Sequence, residues 1–323
     1  DDKDDVKSLA QLVEEYGDLP LIDAHNHNAG NSRYKRMRET WNQNSVDRIV
    51  LFGDVSEPSA IGTDKIAWKA YQEYPDQFIP FFSGVNLLEE SGLVTARENL
   101  ERGYFGIGEI AAASRYSQAL ANVKWKTQHP MDGILPQIYE LCAEYGVPIL
   151  LHIDPPNGYE VTKLTEAAAA YPETNFIFAH ANVFNNADNI EQLITDHPNL
   201  YIDLFPGFMQ TNSTFFYEIE TYLPVIKKYP NQFMISTDSG YGLESEEFAI
   251  EAMYHFLDAI DDPELAMKLA HDNVDQLIRN QLATATQIEA IRKHDPALAA
   301  TLDLSQFTKV EAGKLLIEME VEM

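Results

Sequence analysis

Five short apolar runs in this 323-residue chain end on side chains of metal-binding type. Leu19-Pro20-Leu21-Ile22 leads into Asp23-Ala24-His25-Asn26-His27, and four later runs lead into Glu109, His152, His180 and Asp238. In a parallel barrel the C-terminal strand ends converge on one mouth, where catalytic groups collect. Five such ends would therefore gather imidazoles and carboxylates in one place. Strand pleat puts residues two apart on one face, so Asp23, His25 and His27 face the barrel axis together. At a rise of roughly 3.3 Å per residue the two imidazoles start about 7 Å apart, and a twist or bend at the strand end must bring them onto one ion. Mixed nitrogen and oxygen donors suit zinc, iron, manganese or nickel better than a thiolate site does. The pattern points to metal-assisted hydrolysis.

Positioning such a set takes a repeated scaffold. Apolar runs alternate with helical patterns in eight beats, the signal for βα units. Strands are expected at 20–26, 48–54, 78–85, 104–110, 147–153, 175–181, 199–205 and 232–238, several as continuous apolar segments buried on both faces. The four downstream ligand candidates then end strands four, five, six and eight. Helices are expected over 135–145, stopped by Gly146, over 162–171 before Pro172, and over 190–196 before Pro198. A helix over 6–16 precedes the barrel, and helices over 246–259, 263–279 and 284–302 follow it. The expected fold is α/β, a (β/α)8 TIM barrel with extra N- and C-terminal helices. It is expected as a single domain over 1–323, with an N-terminal extension over 1–18 and a C-terminal helical extension over 283–323.

Composition agrees with one barrel. A chain of 36.5 kDa with 45% hydrophobic residues can bury a large core, and no apolar stretch approaches the roughly 20 residues of a membrane span. The single cysteine, Cys142, cannot form an internal disulfide and reads as a small buried hydrophobe on an amphipathic helix. A net charge of -28 argues against duplex nucleic acid as a partner, since that binding depends on neutralising phosphates. The chain starts Asp1-Asp2-Lys3-Asp4-Asp5 without an initiator methionine. The compartment therefore stays open, with the cytoplasm as the default expectation.

The same residues resemble the amidohydrolase superfamily of metal-dependent barrel hydrolases, and in particular its amidohydrolase-related branch. The resemblance runs from Ile22-Asp23-Ala24-His25-Asn26-His27 through His152 and His180 to Thr237-Asp238-Ser239. Ala270-His271-Asp272-Asn273-Val274-Asp275-Gln276-Leu277 is similar to the Gly-x-Asn-Ala-x-x-Leu stretch on the helix that closes such barrels, departing at Ala270 and Val274. At strand four, where binuclear members often carry a carboxylated lysine, Gly106-Ile107-Gly108-Glu109-Ile110 resembles the Gly-Glu-Ile segment of TatD-type nucleases. The resemblance implies one metal on His25, His27 and Asp238, a second on His152 and His180, and Glu109 bridging them. Zinc is the first expectation, with manganese, iron or nickel as alternatives. Water between two such ions is acidified from a pKa near 15.7 toward about 7, Asp238 would accept its proton, and Asp23 would orient a ligand histidine from behind. A second reading of Glu109 stays open: a substrate hydrogen-bonding group in a one-metal site, with His180 on hydroxide or substrate.

Specificity is expected from the βα loops. Arg33, Lys35, Arg36 and Arg38 follow strand one, while Arg115, Lys124 and Lys126 follow strand four, so seven of the 23 basic residues fall in two windows. They form either a local positive funnel for an anionic small molecule or a set of surface ion pairs. Tyr116, Trp125 and His129 would line or cover the mouth. The substrate-binding candidates are thus Arg33, Arg36, Arg115, Tyr116, Lys124, Trp125 and His129. Hydrolysis of a small ester, lactone, amide or phosphoester leads the functional readings. A metal-dependent decarboxylase and a non-catalytic ligand-binding barrel are the alternatives, and a homodimer through the helices is open.

Overall fold

Eight apolar runs form eight parallel strands: β1 (Leu21–Asn26), β2 (Val46–Leu51), β3 (Phe78–Phe82), β4 (Gly106–Ala113), β5 (Ile149–Ile153), β6 (Phe176–Phe178), β7 (Leu200–Leu204) and β8 (Phe233–Ile235). The computed structural model describes residues 6–114, 117–154, 159–183, 185–210 and 218–323. Each strand pairs with the next in sequence order, and helices fill the connections, so the chain is a (β/α)8 barrel. Among the described residues β8 and β1 share no ladder. Side chains close that seam instead, with the Thr237 amide and hydroxyl both donating to Asp23.

The strands are almost wholly buried, as parallel strands covered by helices must be. Phe78, Phe81, Phe82, Phe176, Phe178 and the aliphatic residues between them make one continuous core. The β1–β2 and β4–β5 pairings each carry two register shifts, and one in each falls beside a ligand candidate. In β1 the pairing slips between Asp23 and Asn26, and in β4 between Ile107 and Ile110. Such irregularities bend a strand and re-aim its side chains. At Gly108 the strand also passes close to β5, since a Cβ there would lie 2.5 Å from that of Leu150.

Helices fall near their expected places. Leu135–Tyr145 matches its expected bounds and ends on Gly146 in the left-handed conformation, where the absence of a Cβ removes the penalty. The expected helix over 284–302 is two helices, Ala285–His294 and Pro296–Ala299, because Pro296 cannot donate the hydrogen bond that would continue the first. The run over 263–279 is continuous but contains a π-helical turn at Lys268–Asp272. A last helix, Lys309–Glu318, falls within the expected C-terminal helical extension, without bounds of its own there, and begins on a capping box between Thr308 and Glu311. It packs with Ile291, Ala299 and Leu304 in a small separate apolar cluster. No helix among the described residues is long and apolar enough to cross a membrane.

Candidate metal centre

The side chains at the ends of the five apolar runs meet. His25 and His27 follow the bend in β1, and their Nε2 atoms lie 3.0 Å apart, much closer than a straight strand allows. Asp238 completes the first group, with Oδ1 at 3.1 Å from His25 Nε2 and 3.3 Å from His27 Nε2. His152 from β5 and His180 just past β6 form the second, with His152 Nδ1 at 3.2 Å from His180 Nε2. Glu109 on β4 stands between the two. Its Oε2 lies 3.1 Å from His25 Nε2 and 3.0 Å from His27 Nε2, while its Oε1 lies 2.9 Å from His152 Nδ1 and 3.1 Å from His180 Nε2.

Asp238 is not on a strand. β8 ends at Ile235, three residues earlier than the expected boundary, and Asp238 sits in a short 3-10 turn at φ +43°. Its neighbours hold it there from both sides. Thr237 bonds to Asp23, and the Ser239 hydroxyl accepts the His27 amide at 2.7 Å, so both residues flanking Asp238 are tied to the first strand.

The outward nitrogens of three rings are also engaged. His25 Nδ1 lies 3.0 Å from Asp203 Oδ2, His27 Nδ1 lies 2.6 Å from the Gly53 carbonyl, and His152 Nε2 lies 2.7 Å from Asp154 Oδ1. An acceptor on the outer nitrogen places the ring proton there and turns the inner lone pair toward the centre. Asp203 and Asp154 are absent from the sequence-based candidates, although Asp154 lies two residues past His152 and shares its strand parity. Asp23 holds His25 at the backbone amide, with N to Oδ1 at 3.3 Å, whereas the ring is held by Asp203.

Electrostatics favour positive charge. Burial alone would lower the His27 pKa, but hydrogen bonds to Asp238 and Glu109 outweigh it and push the imidazole up to about 9. His152 rises to about 9 in the same way, burial being overcome by Asp154 and Glu109. For Glu109 and Asp238 burial pushes upward, yet the charge on His25 and the bonds to the imidazoles hold both carboxyls well below the usual range. The two groups, His25/His27/Asp238 and Glu109/His152/His180, each converge ligand atoms within 4.8 Å. Their lone pairs are close enough that a proton or a cation must lie between them. The donor set fits borderline divalent ions.

Above the centre lies a cavity of about 820 Å³ walled by Val55, Leu120, Val183, Phe208 and Tyr241. Arg33 is the one basic side chain apart from the histidines on its walls among the described residues. The other cations turn elsewhere. Arg38 stacks 3.3 Å from the Tyr74 ring and bonds to Gln77, and Lys126 donates to the Leu120 carbonyl. Lys35, Arg36 and Lys124 are exposed, and Trp125 and His129 do not line this cavity. Arg33, Lys35, Arg36 and Arg38 straddle the start of a helix, Tyr34–Gln43, whose turns spread them around its axis, so they form no common funnel. Arg115 and Tyr116 lie outside the described residues.

Residues 22–231 match the family model described as Amidohydrolase. The chain belongs to the amidohydrolase family. A comparison with curated proteins gave no match. Among solved structures, this family member is similar in fold to a TatD homologue from Escherichia coli, at TM-score 0.54 and 17% identity over 80% of this chain and 98% of the other. A protein described as a probable 2-pyrone-4,6-dicarboxylic acid hydrolase from Acinetobacter baumannii, with citric acid bound, gives TM-score 0.57 and 14% identity over 80% and 98%. A dihydroxybenzoic acid decarboxylase from a Polaromonas species, with bound manganese and the inhibitor 2-nitroresorcinol, gives 0.52 and 13% over 80% and 96%.

Proposed function

We propose that this chain is a metal-dependent hydrolase of a small ester, lactone, amide or phosphoester, with a two-ion centre. The carrying observation is Glu109, whose two carboxylate oxygens face different histidine pairs at 2.9 to 3.1 Å. A group that merely bound substrate in a one-ion site would not need both of its oxygens against histidine nitrogens. His25, His27 and Asp238 would hold one ion, His152 and His180 the other, and Glu109 would bridge them. Charge balance supports two: Glu109, Asp238, Asp203 and Asp154 are four buried carboxylates in contact with the imidazoles, and two divalent cations neutralise four negative charges. Zinc is the first choice of ion.

Such ions supply Lewis acidity, acidifying water and polarising a carbonyl or phosphoryl oxygen. The protein's own groups do the rest. Asp238, held at the floor of the cavity by Thr237 and Ser239, takes the proton of the attacking water. Apolar walls exclude bulk water and bind the body of the substrate. Arg33 directs Nε to Asn28 Oδ1 at 3.1 Å and Nη2 to the His27 carbonyl at 3.4 Å, leaving Nη1 to meet an anionic substituent.

Elemental analysis of zinc-saturated, desalted protein tests the centre. About two ions per chain are expected, falling to about one in Glu109→Gln, because an amide lacks the charge that holds two cations together. One ion in the unaltered protein would sink the two-ion reading. A panel of carboxylate-bearing esters, lactones and amides tests the reaction, and carbon dioxide release in place of hydrolysis would assign a decarboxylase instead.

A further inference from the structure

Asp203 lies on β7, a strand that supplies no candidate ligand, and is 0% exposed. Its Oδ2 accepts two bonds from different halves of the centre. One comes from His25 Nδ1 at 3.0 Å, in the first group, and the other from the backbone amide of His180 at 3.0 Å, in the second. The second bond has a particular purpose. His180 adopts φ +36°, in the left-handed region that non-glycine residues seldom occupy, so its backbone needs an external anchor to stay there. Among the described residues Asp203 Oδ1 is buried with no hydrogen-bond partner, which carries a desolvation cost.

We infer that Asp203 is a positioning residue that couples the two half-sites, using one carboxylate oxygen to set the His25 ring and the His180 backbone together. The inference rests on the two-ion reading above. Through His25 the carboxylate fixes the Nδ1–H tautomer and directs the Nε2 lone pair at the first ion. Through His180 it fixes the arc of chain that carries Nε2 toward the second. Its negative charge would be offset by the cations that His25 and His180 would hold. Asp154 is the natural contrast: among the described residues it meets the ring of His152, in one half of the centre, and accepts the Ser117 amide.

The test is zinc competition against chelators of graded affinity, yielding two dissociation constants per chain, on the unaltered protein and on Asp203→Leu, Asp203→Asn and Asp154→Asn. Asp203→Leu is expected to weaken both constants by about 10–100-fold, and Asp154→Asn one of them. Asp203→Asn can still accept both N–H bonds, so it isolates the charge and should weaken both constants by about 10-fold. Long-range proton–nitrogen spectra of the imidazoles add a readout that folding alone does not move: His25 should lose its Nδ1–H signature in Asp203→Leu and keep it in Asp203→Asn. If Asp203→Leu does not fold, Asp203→Asn carries the test. Unchanged affinity at either half-site in every folded Asp203 variant overturns the coupling while leaving the two-ion reading intact. An unaltered protein that holds no zinc overturns both, and that result is visible before any variant is made.

Discussion

Two polar clusters are buried at opposite ends of the barrel, and they meet the cost of burial in opposite ways. At the C-terminal mouth, carboxylates crowd histidine rings, the imidazoles of His27 and His152 are pushed up to about 9, and Asp203 keeps an oxygen with no partner among the described residues. At the N-terminal end, Lys309 is 0% exposed, and its Nζ donates to the Tyr104 carbonyl at 3.0 Å and to Gln281 Oε1 at 2.8 Å. Those partners are neutral. Burial dominates there and pushes the ammonium down to about 7, against a small opposing pull from Glu101. The mouth concentrates charge that calls for a cation, whereas the base relieves charge by shedding a proton. A barrel's stability face and its reactive face are thus distinguishable by which sign of strain the side chains tolerate.

Breaking the mouth should have the largest effect. His25→Ala combined with His27→Ala removes two neutral nitrogen ligands, and metal content and turnover are expected to fall to background. Full occupancy in that variant, measured by elemental analysis, would remove the basis of the proposed centre. Asp238→Asn should be next. An amide can still coordinate weakly but accepts no proton, so at least one ion should remain while turnover falls by about 10²–10⁴. Turnover near the unaltered rate would move the proton acceptor elsewhere.

Arg33→Met reaches the cavity without removing a ligand side chain, although Arg33 also donates to the His27 carbonyl. For an anionic substrate KM should rise by about 10-fold or more, while metal content stays at the unaltered value and an uncharged analogue is barely affected. Equal losses for charged and uncharged substrates would mean that Arg33 supports the loop through Asn28 and His27 and does not read charge.

Much of this was legible in the residues because two periodicities did the work. Continuous apolar runs located all eight strands, and the residue type at each run's end located six converging side chains. The remainder was hidden where local pattern gives way to tertiary contact. Asp238 lies beyond its strand because side-chain bonds to Asp23 and His27 override the extended pattern. Asp203 sits in Tyr201-Ile202-Asp203-Leu204, an acid inside an apolar run, and that anomaly was the available signal. The loop cations misled for a related reason: proximity in sequence placed Arg36 and Arg38 near the mouth, but helical rotation sends them to other faces.

The base of the barrel supplies the smallest effect on catalysis and the cleanest contrast in pH. With a folded pKa of about 7 and an unfolded value near 10.5, Lys309 binds more protons in the unfolded chain throughout that interval. Stability therefore rises with pH from about 7 to about 10.5, and below 7 the folded state bears the whole cost of a buried ammonium. At one pKa unit per 1.36 kcal/mol, the span is on the order of 5 kcal/mol. Lys309→Met removes the titrating group and keeps most of the apolar stem. Urea denaturation of both proteins at pH 7 and pH 10 should show the unaltered chain gaining several kcal/mol relative to the variant as pH rises, with turnover of the folded variant at pH 7 nearly unchanged. Parallel stabilities at the two pH values would mean that Lys309 keeps its proton on folding, and the contrast between the two ends of the barrel would then lose its lower half.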